Sequence, residues 1–518
     1  MVVKCISKKN LLIAVVLLAF NYTFGQSKQD IVEGSSFIFK GREPLKLFQN
    51  NDSSYLFLTS GHFGIYATSL SEELNKVKGK VLHMNYETKQ LNYVETIYFS
   101  GKYLVFMSYR NRKQKKTFLF YSVLNPKNLK LSKSPVKVAE MPNSNSVNEP
   151  VKFIVKQSPN AENLLIIGLP ASKQFQEFGI YDRSKISVFD ILSDGKANLN
   201  YWVMSDKMRI IKQSDDSYIR LTNPFKQLFF IDYAIDDSSN VYVLCKNSNS
   251  KYRSKKQEVT KPEQESSKKI FWYEYSQSKY ILTRFSSNGD MHQFVTDENY
   301  VIADLKFSYS STQIDLIGLI LGSKGLPQNP KSLYYAKLNN KDFGINTTKF
   351  MTLPEPYYNK VVTCKSMNGG DVTFALEKLS FNQTTVHHTK VTKHQDGSTT
   401  TKDGLSPVYL DFKYGDIFIG KMDANLQDIN DSSFKYLIVP RERETRFQHL
   451  ESGLINDKSV IFPDVVVDIE SMKWTKTHSN IAGLRIKIPI YHIQVVSSSF
   501  LVLNQLNSGF QFIRYPIH

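Results

Sequence analysis

The sequence predicts an all-β protein, specifically a β-propeller of about seven irregular four-stranded blades. Three observations lead there. The chain carries 34 Phe and 29 Tyr among 518 residues, and its apolar residues gather in short runs separated by Asn, Asp, Ser, Gly and Lys. That is the pattern of strands joined by turns. Sustained helical periodicity is nearly absent. Similar apolar units also recur along nearly the whole chain, and no shift in composition marks a domain boundary. In a propeller each four-stranded blade buries its faces against its neighbours. The alternative is two packed β-sandwich-like domains.

Taken in order, the chain opens with Lys4, Lys8 and Lys9 and no acid, then the apolar run Leu11 to Phe20, then Thr23-Phe24-Gly25. These are the basic, apolar and small-residue regions of a secretory signal peptide. Residues 1–25 are read as that leader, Gln26 as the mature N-terminus, and 26–518 as a single propeller-like domain. Ten apolar residues are too few to span a bilayer, which takes about 20. Cys5 precedes the apolar run and the next cysteine is Cys245, so no cysteine is placed for a lipid anchor. The expected location is periplasmic, outer-surface or extracellular, with no transmembrane segment in the mature chain.

Ser69 to Val77 (SLSEELNKV) is the one stretch expected to form a helical turn or two. Lys102 to Leu124 reads as an antiparallel hairpin, KYLVFMSY and TFLFYSVL around the basic tip RNRKQKK. Comparable runs follow at SYLFLTS, NLLIIGL, NVYVLCK, QIDLIGLIL, DVTFAL and SVIFPDVVV. Their irregular spacing is somewhat longer than the ~40–50 residues of propeller repeats, and WD40 signatures are missing. The last segment, through SFLVLNQL and FQFIRYPI, offers strands to close the ring against SSFIFKG (Ser35 to Gly41).

Two segments read as excursions. Asn247 to Lys269 has almost no apolar residues and holds seven Lys/Arg against three Glu, as a mobile loop would. Asn382 to Pro407 is rich in Thr and His with Asp-Gly at its middle, and reads as a long exposed hairpin. The stretches IDYAIDDSSNVYVLCK, YILTRFSSNGDMHQF, VIADLKFSYSSTQIDLIGLI and YGDIFIGKMDANLQ together resemble a family of uncharacterised, exported β-propeller-like proteins of Bacteroidetes-type bacteria. The resemblance covers about the central half of the chain. It implies an exported propeller and brings no catalytic residue.

The common chemical signatures are absent. No dinucleotide or phosphate-binding glycine loop, no Gly-x-Ser-x-Gly elbow, no His-Glu-x-x-His and no Cys-x-x-Cys pair occurs. His387 and His388 point to opposite strand faces and, with His394, have no acidic or cysteine partner nearby, so no metal is expected. DDSSN (Asp236 to Asn240), SDGKAN and SNGD lack the alternating acids of a calcium loop and read as turns. Cys245 and Cys364 sit in apolar runs and read as buried free thiols, a disulfide being the alternative. A pair of glycosidase carboxylates cannot be placed among 48 acids, and no Asp-box repeat occurs.

What remains is charge. The formal net charge is +18, or +15 without the leader's three lysines, which favours anionic partners. The candidate ligand-binding residues are Arg110, Arg112, Lys113, Lys115 and Lys116 at one tip. Lys251, Arg253, Lys255 and Lys256 form another, with Trp272 and Tyr273 as stacking aromatics. The expected function is a non-enzymatic binding or scaffold protein for an anionic glycan or an envelope protein, without cofactor. A propeller-type hydrolase of polysaccharide is the alternative, and nucleic acid is disfavoured by the export signal.

Overall fold

A computed structural model of the chain describes residues 32–36, 44–61, 64–143, 151–169, 172–174, 185–189, 191–192, 194–214, 217–222, 227–248, 278–297, 301–321, 332–353, 358–367, 370–394, 396, 398–423, 434–440, 454–455, 459–462, 465–476, 493–496, 499–506 and 509–516. The signal-peptide call at 1–25 lies outside them. Every regular element among the described residues is a strand. The protein is all-β, built of four-stranded antiparallel sheets of propeller-blade type. The chain forms two compact units. One is Asn85–Leu124 with Ser132–Lys476, and the smaller is Met1–Met84 with Asn125–Leu131 and Thr477–His518.

The larger unit holds six successive sheets, each an antiparallel meander in chain order. Sheet A comprises Asn92–Phe99, Lys102–Asn111, Lys116–Asn125 and Val136–Pro142. Sheet B has Lys152–Gln157, Asn163–Leu169, Asn200–Ser205 and Ile210–Gln213. Sheet C has Gln227–Ile235, Val241–Ser248, Ser278–Phe285 and Met291–Val295, with Lys185–Phe189 added beside its first strand. Sheet D has Val301–Tyr309, Gln313–Leu321, Ser332–Asn339 and Ile345–Thr352. Sheet E has Tyr358–Ser366, Asp371–Lys393, Thr399–Asp423 and Phe434–Val439. Sheet F has Leu454–Ile455, Ser459–Ile461, Val465–Asp468 and Lys473–Lys476.

These sheets stack face to face, and the stacking explains the apolar runs. Most runs read from the sequence in this unit fall on the second strand of a sheet, while TFLFYSVL is the third strand of sheet A and SVIFPDVVV spans the second and third strands of sheet F. These inner strands are paired on both edges and covered on both faces. Successive residues of a strand alternate between faces. On Asn163–Leu169, Leu164 and Ile166 pack towards sheet A while Leu165 and Ile167 pack towards sheet C. On Val241–Ser248, Val243 and Cys245 face sheet B while Tyr242 and Leu244 face sheet D. On sheet D, Ile314 and Leu316 face C while Ile317 and Leu319 face E. A strand buried on both faces reads as continuous hydrophobicity instead of alternation. The fourth strands form the outer rim, where Val136, Ile211, Val295, Ile345 and Tyr436 are exposed.

The first strands lie side by side and run the same way. Lys156 donates to the Tyr233 carbonyl and the Asn160 amide to Asp237, so sheets B and C advance together. Asp232 pairs with Lys306, and Ile235 accepts from the Tyr309 hydroxyl, from C to D. Asp304 accepts from the Val361 amide, and Ser308 from the Ser366 amide, from D to E. Sheet A follows the same direction. Met141, at the end of its fourth strand near the second-to-third turn, packs on Gly168 at the matching end of sheet B, so closely that a Cβ on Gly168 would collide with it.

In the smaller unit, Pro44–Gln49, Tyr55–Gly61, Gly64–Leu70 and Lys76–Leu82 make one sheet. Ile493–Val496, Ser499–Leu506, Gly509–Pro516 and the N-terminal Val32–Glu33 make another. Leu47, Tyr55, Phe57, Leu70, Leu74, Leu501 and Phe512 form their common core, with the Phe57 and Phe512 rings edge to face at 4.9 Å. The closing strand is Val32–Glu33, paired Val32 to Arg514, just upstream of the expected SSFIFKG.

The expected helical turn at Ser69 to Val77 is corrected. Ser71 to Asn75 make a tight turn between two strands, with the Ser71 amide on the Asn75 carbonyl and the Leu74 amide on the Ser71 carbonyl. Leu70 and Leu74 stand at helical spacing, yet both point into the sheet core. Leu74 reaches it only from a left-handed backbone, φ 65°, which a Leu tolerates when the surrounding packing fixes it.

Candidate functional site

The inner edge of the larger unit gathers ionisable groups beside its apolar core. Three first strands carry a β-bulge with an acid on it. Register shifts fall between Tyr93 and Glu95, between Phe230 and Asp232, and between Ile302 and Asp304. A bulge leaves one amide without a ladder partner, and the acid supplies one. Glu95 accepts from the Thr96 amide at 2.8 Å, Asp232 from Tyr233 at 2.8 Å and Asp304 from Leu305 at 3.0 Å. The same carboxylates reach further. Asp304 holds the Val361 amide of sheet E at 2.8 Å, Asp232 pairs with Lys306 at 3.4 Å, and Glu95 lies 3.5 Å from the Tyr93 hydroxyl.

These groups feel one another across sheets. Burial raises the Tyr233 hydroxyl's pKa, and Asp232 and then Glu95, two sheets away, add to it. Burial likewise raises Tyr93, with Glu95 next. Burial depresses the Lys156 ammonium, against the pull of Asp232. For Lys306 burial also acts downward, but Asp232 and Asp304 outweigh it and its pKa ends above the usual value. Burial pushes the Cys364 thiol up, with Lys306 partly opposing. Lys156 is reached by solvent although protein surrounds it on most sides. It spans to the Tyr233 carbonyl at 2.8 Å and lies 5.1 Å from that ring's centre.

Converging carboxylates are what a glycosidase would need, yet each acid here holds a bulge. Both oxygens of Asp304 accept backbone amides, and Asp232 spends one oxygen on an amide and the other on Lys306. The motif readings for Glu95, Asp232 and Asp304 were missed from the sequence. The signal was an acid inside the apolar run that opens a blade, as in YVETIYF, FFIDYAI and VIADLKF.

The candidate basic residues stand elsewhere. Arg112, Lys113 and Lys115 are exposed on the turn between the second and third strands of sheet A. Asn111 shapes that turn by accepting the Gln114 amide at 3.1 Å. Arg110 is half-buried on the strand below. Lys116 is engaged with Glu140 at 2.6 Å, and Lys137 holds the other oxygen at 2.7 Å. The Lys116 and Lys137 hydrogen bonds pull the Glu140 carboxyl down to about 2. Lys251, Arg253, Lys255, Lys256, Trp272 and Tyr273 lie outside the described residues. Their segment leaves sheet C at Ser248 and returns at Ser278, two residues paired with each other.

That connection also joins a second strand to a third. So do the segments between Leu169 and Asn200 in sheet B and between Leu321 and Ser332 in sheet D, and the long hairpin of sheet E. Because sheets A to E run in one direction, these connections and the Arg112–Lys115 tip leave the same end of the unit. The sheet E hairpin pairs from Asn382 with Leu410 to Lys393 with Thr399. His394 stands at its tip with Nε2 2.5 Å from Thr400 Oγ1. Among the described residues no three His, Cys, Asp or Glu gather as for a metal ion. Cys245 and Cys364 are both free thiols; Cys245 is buried as expected, whereas Cys364, on the first strand of sheet E, is only half-buried. Asp236, Asp194 and Asn288 each bond within their own turns, as read for the Asp-rich segments.

No protein-family model matches the chain, and no curated protein matches it. Several solved structures do. The β-propeller domain of the Trilobed protease from Pyrococcus furiosus is similar at 10% identity and TM-score 0.29, covering 80% of this chain and 98% of that one. Drosophila Plexin A in complex with Semaphorin 1b is similar at 10% identity and TM-score 0.32, over 94% and 87% of the two chains. An endo-arabinase from Bacteroides thetaiotaomicron is similar at 10% identity and TM-score 0.23, over 79% and 97%.

Proposed function

We propose that the protein is an exported, non-enzymatic binding or scaffold protein, of the kind Bacteroidetes-type bacteria place at the envelope or outside the cell. Its ligand is an anionic glycan or an envelope protein. The site is the end of the larger unit from which the second-to-third connections of sheets A to E emerge. One observation carries the reading. The stacked sheets send their second-to-third connections, of differing length, out at one end together with Arg112, Lys113 and Lys115, which is how repeat architectures build a binding face. The segment carrying Lys251 to Lys256 in sequence begins and ends there too.

The competing reading is a polysaccharide hydrolase. Against it stands the use of the inner acids as bulge acceptors, which leaves no opposed pair of unengaged carboxylates among Glu95, Asp232 and Asp304. The test is binding to polygalacturonate at rising salt. Exposed contacts are screened as the Debye length falls to about 3 Å in 1 M salt. Affinity should drop steeply with salt, and R112Q/K113Q/K115Q should bind several-fold more weakly with unchanged thermal stability. Equal binding by that variant across the salt range overturns the reading. Export is tested by intact mass from the native host, which should begin at Gln26.

A further inference from the structure

The opposite end of the same unit, where first strands turn into second and third into fourth, holds a pocket of about 330 Å³. Its size falls at the lower bound of the ~300–1,000 Å³ of small-molecule sites. Its deepest charged group is Arg284 of sheet C, 7% exposed. Arg284 Nη1 donates to Asn340 Oδ1 at 3.3 Å and Nη2 to the Lys341 carbonyl at 2.5 Å. Its plane lies over Phe343, 5.4 Å from the ring centre, and its buried Nε has no hydrogen-bond partner among the described residues.

Both acceptors are neutral, and no carboxylate among the described residues pairs with the guanidinium. Asp236 is nearest in the network, but Tyr242 stands between. The Tyr242 hydroxyl is 2.9 Å from Asp236 Oδ2 and 2.8 Å from Asn340 Oδ1, and the other Asp236 oxygen takes the Asn240 amide. A guanidinium withdrawn from water without a counter-charge is costly. A planar guanidinium with no counter-charge at the wall of a pocket matches a carboxylate.

The rim supplies a different chemistry. Lys341 is exposed beside the guanidinium, and Ser238, Ser311 and Asp237 line the opening. Asp237 Oδ1 holds the Asn160 amide at 2.8 Å, and Oδ2 has no hydrogen bond from a donor among the described residues. Tyr309 lends an aromatic wall, stacked on Tyr242 at 5.1 Å.

From this juxtaposition we propose that the pocket binds a compact hydroxylated carboxylate of the size of one sugar acid. Its carboxylate lies against Arg284 and Lys341, and its hydroxyls meet Asp237, Ser238 and Ser311. This site is separate from the connection end described above. Calorimetric titration of the full mature chain with glucuronate, glucose and acetate tests it. Glucuronate should bind at least about tenfold more tightly than either of the others, since each lacks one half of the recognition. R284Q should lower glucuronate affinity about tenfold or more, with R284K between, because lysine lacks the fork. K341Q and D237N lie at the surface and keep the test open should R284Q fold poorly. K341Q weakens glucuronate and acetate alike, whereas D237N weakens glucuronate and glucose and leaves acetate unchanged. R112Q/K113Q/K115Q should leave this binding unchanged. Equal affinity for glucose and glucuronate, or no heat with any of the three at about 10 mM, overturns the proposal.

Discussion

Replacing Asp304 by Ala separates a structural acid from a catalytic one. Asp304 Oδ1 holds the Leu305 amide at 3.0 Å and Oδ2 the Val361 amide at 2.8 Å, and both residues are fully buried. Water cannot easily replace the lost acceptor, so each amide carries its desolvation penalty. A hydrogen bond to a charged partner contributes about 1.5–3 kcal/mol, and an orphaned buried donor costs a similar amount. D304A should therefore lose about 3–5 kcal/mol, well above the ~1 kcal/mol of an ordinary substitution. D304N keeps one acceptor oxygen and should lose about half as much. Trp202, Trp272 and Trp474 are the only tryptophans and all belong to the larger unit, so urea unfolding followed by tryptophan fluorescence reads that unit directly. A loss below about 1 kcal/mol for D304A would refute the bulge-acceptor role and return Asp304 to the pool of catalytic candidates.

Three further outcomes follow from the same stack. Thiol counting on the denatured chain lacking residues 1–25 should find two groups, of which the buried Cys245 reacts far more slowly when native. Burial holds the Cys245 and Cys364 pKa values above the unfolded value of about 8.5. The unfolded chain loses those protons first, so stability falls as pH rises past that value, by up to about 1.4 kcal/mol per pH unit per thiol, and the fall should shrink in C245A. An alkaline profile identical in C245A would remove that explanation. Cleavage between residues 249 and 277 should leave two fragments that co-elute, because Val241–Ser248 and Ser278–Phe285 pair along their full length. Separation of the fragments would contradict that pairing's share of the stability.

What was legible followed burial. Second strands such as Asn163–Leu169 and Gln313–Leu321 are covered on two faces and two edges, so their sequences are nearly pure Leu, Ile and Gly. The sheet A hairpin was readable for the same reason, with polar Arg112 to Lys115 bounding two apolar runs. First strands were obscure because their inner face is polar. Glu95, Asp232 and Asp304 interrupt the hydrophobic signal where the chain lines the inside of the unit. SLSEELNKV misled because Leu70 and Leu74 at helical spacing serve a turn whose left-handed residue is not a glycine. Direction was invisible as well. That the second-to-third connections share one end depends on cross-sheet pairs such as Lys156 with Tyr233 and Asp304 with Val361, which no local pattern encodes.

The sheet that joins Val32–Glu33 to Gly509–Pro516 has a kinetic consequence. Gln511 reaches the Gly34 carbonyl at 2.9 Å across 477 residues of chain, so this sheet cannot complete until its last strands have been made. Sheets A to E can each collapse from neighbouring hairpins as they appear, whereas this one must close a very long loop, a slow step by chain entropy. Until then the half-built core around Phe57 lacks Phe512, and an apolar sheet stands open to wrong partners. The smaller unit is thus the part of the molecule whose maturation time, more than its final stability, governs how much chain survives to function.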